Sequence, residues 1–155
     1  MLNLVYHIDK QVEKPKEDIS MATSYDQRYL EMISKIFYKE LEGWNCRRGY
    51  DLNDILGRGG KIAIFWRRMR LVGAVVWSGE ADTWQLEHMA FKFKEQRRGS
   101  GKILLDYVLY QIGLAGESGD SPQEQGTVPL LHASVAEGSA AELFLRKYGF
   151  TGENE

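Results

Sequence analysis

Leu86-Glu87-His88-Met89-Ala90-Phe91-Lys92-Phe93 leads into Gln96-Arg97-Arg98-Gly99-Ser100-Gly101 and then Lys102 onward. The first stretch reads as a strand and the second as a basic turn with two glycines. Beyond Lys102, Ile103, Leu104, Val108, Leu109 and Ile112 follow at helical spacing. The first N–H groups of a helix have no intrahelical acceptor and lie at the positive end of its dipole, so this junction can cradle a pyrophosphate. Gly99 and Gly101 are expected to keep side chains out of that approach. Two other phosphate loops do not fit. A dinucleotide fold puts its glycines after the first strand of a βαβ unit, whereas these follow a meander. A Walker A loop needs Gly-Lys-Ser/Thr, and Gly101-Lys102-Ile103 lacks the hydroxyl for Mg²⁺.

Working back from the junction, residues 83–93 read as a strand, reached through a tight connection at 78–82. Residues 61–66 and 70–77, rich in Ile, Val, Phe and Trp, read as a hairpin about Arg67-Arg68. Leu52, Ile55 and Leu56 make a short helical turn capped by Asp51. From Ser24, the spacing of Tyr29, Met32, Ile33, Ile36, Phe37 and Leu41 predicts an amphipathic helix stopped at Gly43. Residues 2–8 alternate enough for a first strand, and 9–18, with Pro15, read as loop. Forward of the junction come a helix, a polar acidic loop at 116–126, a buried strand at 128–135, and a short helix at 140–148 closed by Gly149. The predicted order is β-α-(α)-β-β-β-α-β-α. It implies one domain over residues 1–155, of α/β (α+β) class, with a mixed, mostly antiparallel central sheet flanked by helices.

The hexapeptide from Gln96 to Gly101 matches the Gln/Arg-x-x-Gly-x-Gly/Ala motif of the GNAT superfamily of N-acetyltransferases. Ala141, Phe144, Gly149 and Phe150 fall where that family's second motif has an Ala, an aromatic and a closing Gly-Phe. By motif the chain resembles this family from about Leu71 to Phe150, and by order of elements before that. The resemblance implies acetyl-CoA (CoA) as cofactor, with the N–H groups from Arg97 to Lys102 on the pyrophosphate and Gln96 opening the motif. It also implies that the backbone of Met89 and Phe91 pairs with the pantetheine arm like an added strand. The Met89 N–H would polarise the acetyl carbonyl.

An amine that is protonated at neutral pH needs a base before it can attack. Family members that carry this base on the strand place it nine or eleven residues before the motif, at Glu87 or Gln85 here. Strand alternation sets both on one face with Met89 and points His88 to the other, toward a packing role. Glu87 is the expected base. Three departures from the family pattern stand out. Leu145 occupies the position of the Tyr that protonates the departing thiolate, and Tyr148, about 300° further round the helix, does not substitute for it. Gly138 replaces an Asn that anchors the cofactor, with Ser139 beside it as a partial substitute. Residue 155 also follows Gly149-Phe150 closely, so the C-terminal strand pair is expected to be shortened or missing. The open edge would be completed by the N-terminal segment or by a partner chain, as in a homodimer.

The implied function is acetyl transfer from acetyl-CoA to a primary amine, on a small molecule or a protein, by direct attack. The alternative is a non-catalytic acyl-CoA-binding or regulatory module. Composition excludes other classes. With 43% hydrophobic and 27% charged residues over 155 positions, a packed soluble domain is expected. A formal charge of -2 argues against nucleic acid. The single Cys46 makes no internal disulfide, and with no signal-like or membrane-length apolar run the expected location is cytoplasmic. His7, His88 and His132 show no metal-ligand spacing, and Trp44, Trp66, Trp77 and Trp84 read mainly as core.

Overall fold

The computed structural model describes residues 1–39, 44, 51–92, 99–118 and 128–154. The elements in chain order are β1 (Leu2–His7), β2 (Ile19–Met21), α1 (Gln27–Lys39), α2 (Leu52–Gly57), β3 (Lys61–Arg67), β4 (Arg70–Glu80), β5 (Thr83–Phe91), α3 (Ser100–Ser118), β6 (Leu130–Val135), α4 (Ala140–Tyr148) and β7 (Thr151–Gly152). Seven strands form one sheet in the order β2-β3-β4-β5-β6-β1-β7. All neighbours are antiparallel except β5 and β6, which the long α3 connection makes parallel.

Each helix predicted from periodicity forms. Asp51 caps α2 by accepting from the Asn53 and Asp54 amides, and Ser139 caps α4 by accepting from Glu142 N. Gly149, at φ 131, ends α4 with its N–H on the Arg146 and Leu145 carbonyls. The predicted stop of α1 at Gly43 lies outside the described residues, as do Cys46 and most of the acidic loop. The hairpin turn falls at Arg68 and Met69, both at positive φ, not at Arg67-Arg68. Arg67 is thereby the last residue of β3.

Two strands went unpredicted because each is too short to show a period. β2 pairs with β3 from Ile19↔Phe65 to Met21↔Ala63, and β7 pairs with β1 at Leu4↔Gly152 and Val5↔Thr151. The C-terminal strand is short, and the N-terminal strand β1 lies between it and β6, so β7 forms this edge of the sheet. β1 runs antiparallel to β6 over its full length, from Leu2↔Val135 to His7↔Leu130.

The two faces of the sheet carry separate cores. Leu30, Ile33 and Phe37 of α1 and Leu52 and Ile55 of α2 pack on Ile62, Ile64, Ala74, Val76 and Ala90. Leu104, Leu105, Val108 and Ile112 of α3 and Ala141 and Leu145 of α4 pack on the opposite face, against Val75, Leu86, Met89, Leu131 and Ala133. The first core covers β3, β4 and β5 but takes nothing from β6, β1 or β7. That half of the face alternates accordingly: in β6, Leu131, Ala133 and Val135 are buried toward α3 and α4, while Leu130, His132 and Ser134 are partly exposed. No helix among the described residues is long and apolar enough to cross a membrane.

Candidate active site at the β5–β6 splay

β5 and β6 pair through only four residues, from Thr83↔Leu130 to Leu86↔Ala133. Beyond that point β5 continues to Phe91 alongside β4, and β6 continues to Val135 alongside β1. The two central strands therefore separate and leave a slot that opens at Glu87. The cause is local. Val76 faces His88 and Trp77 faces Leu86, so Glu87 is an extra residue on β5 with no opposite number in β4. Such a bulge bends its strand and increases the twist, which turns β5 away from β6.

The bulge also corrects an expectation. Leu86 and Met89, three residues apart, enter the same core, so alternation is shifted across the bulge. Met89 therefore does not share a face with Gln85; it is buried toward α3 and α4 with Phe91. Glu87 stands partly exposed at the vertex. His88 is fully buried, and its ring stacks on Phe37 of α1 at 4.1 Å, the packing role expected of it.

The cradle lies past the end of β5. Gln96, Arg97 and Arg98 are outside the described residues; Gly99, Ser100, Gly101 and Lys102 are within them. Gly99 precedes α3 at φ 73, a conformation that favours glycine, and a Cβ there would meet nothing within 4 Å. By helical geometry the amides of Ser100, Gly101 and Lys102 have no intrahelical acceptor. They begin a 19-residue helix, and among the described residues nothing lies within 4 Å of a Cβ built at Gly99. Gly101 has a different reason to be glycine from the one expected. A Cβ would sit 2.9 Å from Cε1 of Phe144, so the residue is small to let α4 approach α3, and the two motif segments touch there.

Ser100 is buried, and its hydroxyl accepts a hydrogen bond from Nη2 of Arg67 at 3.1 Å. The Arg67 guanidinium, 5.0 Å from the Phe65 ring, thus brings a positive charge to the first residue of α3. Sequence reading had spent that residue on the turn. Lys102 is largely exposed and pairs with Asp106 at 3.0 Å.

On α4, Leu145 is fully buried in the core. Tyr148 donates to Asp106 Oδ1 at 2.5 Å, and burial, together with the carboxylate it bonds, pushes its pKa well above the ordinary tyrosine value. A phenol held this way is a poor proton donor to a thiolate. The Ser139 hydroxyl donates to Ala136 O at 2.6 Å while it caps α4, leaving one lone pair for any further contact.

Three further features border the slot. Trp44 bridges to Val135 on the side of β6 that β5 has vacated, and its ring lies 5.8 Å from His88. Trp77 and Trp84 are core, as expected, but Trp44 is only partly buried. On the half-face outside the α1–α2 core of the described residues, His132 Nδ1 lies 2.9 Å from Glu153 Oε1, and Ser134 donates to Asn3 Oδ1 at 2.7 Å. A cavity of about 860 Å³ opens elsewhere, lined by Lys61, Trp84, Gln111 and Ala115 among others. Gln111 is 11 residues, roughly 16 Å, along α3 from Ser100, so this cavity lies away from the start of α3.

The fold recurs in solved structures. A protein assigned to the GNAT acetyltransferases, from Novosphingobium aromaticivorans, superposes with a TM-score of 0.62 at 15% identity, over 98% of this chain and 59% of its own. This is the GNAT fold. An acetyltransferase of that family from Colwellia psychrerythraea gives 0.61 at 13% identity, over 99% of this chain and 53% of its own. An N-acetyltransferase of the same family from Kribbella flavida gives 0.58 at 13% identity, over 98% and 54%. The chain thus spans just over half the length of these GNAT-fold structures. No family profile matches its sequence, and no curated protein matches it. The likeness is one of fold, and within that fold the β5–β6 splay and the α3–α4 contact are features of this chain itself.

Proposed function

We propose that the chain is an acetyl-CoA-dependent N-acetyltransferase that acts on a primary amine of a small molecule or a protein. The observation that carries this reading is a single alignment of parts. The slot between β5 and β6 opens at Glu87 and runs along Met89 and Phe91 toward the end of β5, and Arg67, at the same end of β3, bonds Ser100, the first residue of α3. An extended thiol ester with a pyrophosphate at its far end has the chemistry to fill such a slot.

In this reading the amides of residues 97–102 hold the pyrophosphate, with Gln96 opening the turn and Arg67 adding charge at Ser100. The backbone of Met89 and Phe91 pairs with the pantetheine arm, and the Met89 N–H serves the acyl carbonyl. Bound acetyl-CoA supplies an acyl group activated as a thioester. Glu87, or a water it holds, takes the proton released as the amine attacks. No dedicated acid is assigned, because Leu145 has no proton and Tyr148 is committed to Asp106. A thiolate leaves unaided, since thiols ionise near pH 8.5.

The same two residues favour the second reading, an acyl-CoA-binding module without turnover. Calorimetric titration with acetyl-CoA, on the wild type and on Gly99→Glu, tests the cofactor site common to both readings. Thiol release on adding amines then separates them. Binding that is lost in the variant supports the site, and no binding by the wild type rejects both readings.

A further inference from the structure

Transfer to an alkylamine releases two protons from nitrogen. The arriving ammonium must lose one before its lone pair can attack, and the nitrogen loses a second as its bond to the acyl carbon forms and the C–S bond breaks. Sulfur leaves with the electron pair and takes up one proton from water. One carboxylate holds one proton at a time, so with Glu87 at the vertex taking the proton released as the bond forms, the first needs an acceptor of its own.

We propose that His132, held by Glu153, is the base that strips the first proton from the incoming ammonium. His132 is the residue of β6 directly opposite Gln85 of β5, one strand spacing of about 4.8 Å away and just before the strands part. It stands on the half of that face outside the core that α1 and α2 form among the described residues, and its side chain is partly exposed. Glu153 Oε1 engages Nδ1 at 2.9 Å, and among the described residues Nε2 has no partner. In this assignment the carboxylate on Nδ1 selects the tautomer with the proton on that nitrogen and leaves the Nε2 lone pair to accept one. The other titratable groups around the ring are Glu87 on β5 and His7 on β1, which shares a face with Val5, the partner of His132. Ser134 and Asn3, bonded to each other beside the pair, extend a polar floor suited to a hydrated cation. From His132 the proton passes to solvent, to which the ring is partly exposed.

The inference rests on the acyltransfer reading, and two amines separate the failure of one from the failure of the other. Ethylamine is protonated at neutral pH and methoxyamine is not, so only ethylamine needs the first base. In His132→Gln, transfer to ethylamine should fall on the order of a hundredfold while transfer to methoxyamine stays within about twofold. Glu87→Gln should slow both. Glu153→Gln should reproduce the His132→Gln pattern more weakly, and unchanged acetyl-CoA binding in each variant reports an intact fold. Nitrogen NMR of the neutral imidazole should find Nδ1 protonated and Nε2 bare, a preference that Glu153→Gln abolishes. Equal losses with both amines, no loss with either, an Nε2-protonated tautomer, or wild type that binds acetyl-CoA without acetylating ethylamine overturns the assignment. Failure to bind acetyl-CoA at all would instead overturn the reading beneath it.

Discussion

Replacing Gly99 tests the cradle with two separable effects. The residue sits at φ 73 with open space where a side chain would begin, so Ala and Glu meet no neighbour and share one penalty, backbone strain. An L-residue in that region costs about 1–2 kcal/mol. For a chain of 155 residues, about 2–4 °C of melting temperature is lost per kcal/mol, so both variants should melt about 2–8 °C below wild type. Affinity should distinguish them. The glutamate carboxylate can reach the amides of residues 100–102 and compete for them, whereas a methyl group cannot. Losing two charge-assisted hydrogen bonds at about 1.5–3 kcal/mol each gives about 3–6 kcal/mol, or roughly 10²–10⁴ in Kd. Calorimetry with acetyl-CoA should therefore find Gly99→Glu weakened by at least about a hundredfold and Gly99→Ala by less than about tenfold. If Gly99→Glu binds within about twofold of wild type, the α3 amides do not carry the phosphates. If both variants melt like wild type, the strain argument is wrong as well.

Three other outcomes follow from the packing. Gly101→Ala should destabilise the fold by about 1–2 kcal/mol by pressing on the Phe144 ring, and Phe144→Leu in that background should recover much of the loss; additivity in chemical denaturation would deny the contact. Because the Tyr148 phenol is held protonated by burial and Asp106, the folded chain keeps a proton that the unfolded chain loses above about pH 10. Its contribution is complete below that pH and lost as pH rises beyond it, so Tyr148→Phe should be less stable than wild type at neutral pH and flatten the alkaline decline in thermal melts. β7 covers β1 only at Leu4 and Val5, which leaves an edge for a second copy, and sedimentation should detect a concentration-dependent dimer; a monomer at all concentrations would remove that proposal.

Much of this architecture was legible because its signals are local. The apolar stripe of α1, the caps Asp51 and Ser139, the terminator Gly149 and Gly99 ahead of α3 each act within a few residues, and the structure puts each where the pattern implied. Arg67 misled because a hairpin turn shifted by one residue moves a side chain from the tip to the last strand position, from which it reaches Ser100, 33 residues away. His132 offered only three scattered histidines to read, and its partner Glu153 lies 21 residues further on.

The sequence by itself determined the four helices and the five longer strands of the described residues, the order in which they come, and the glycine turn that leads into α3, since these depend on neighbours along the chain. Only the tertiary structure decided where β1 and β7 sit, because strand pairing depends on contacts between distant segments. The bulge at Glu87 belongs to the tertiary structure as well: Met89-Ala90-Phe91 is apolar throughout, so no alternation remains to reveal a shifted face. That one extra residue, opposed by nothing in β4, parts β5 from β6 and so makes the slot on which the proposed chemistry depends.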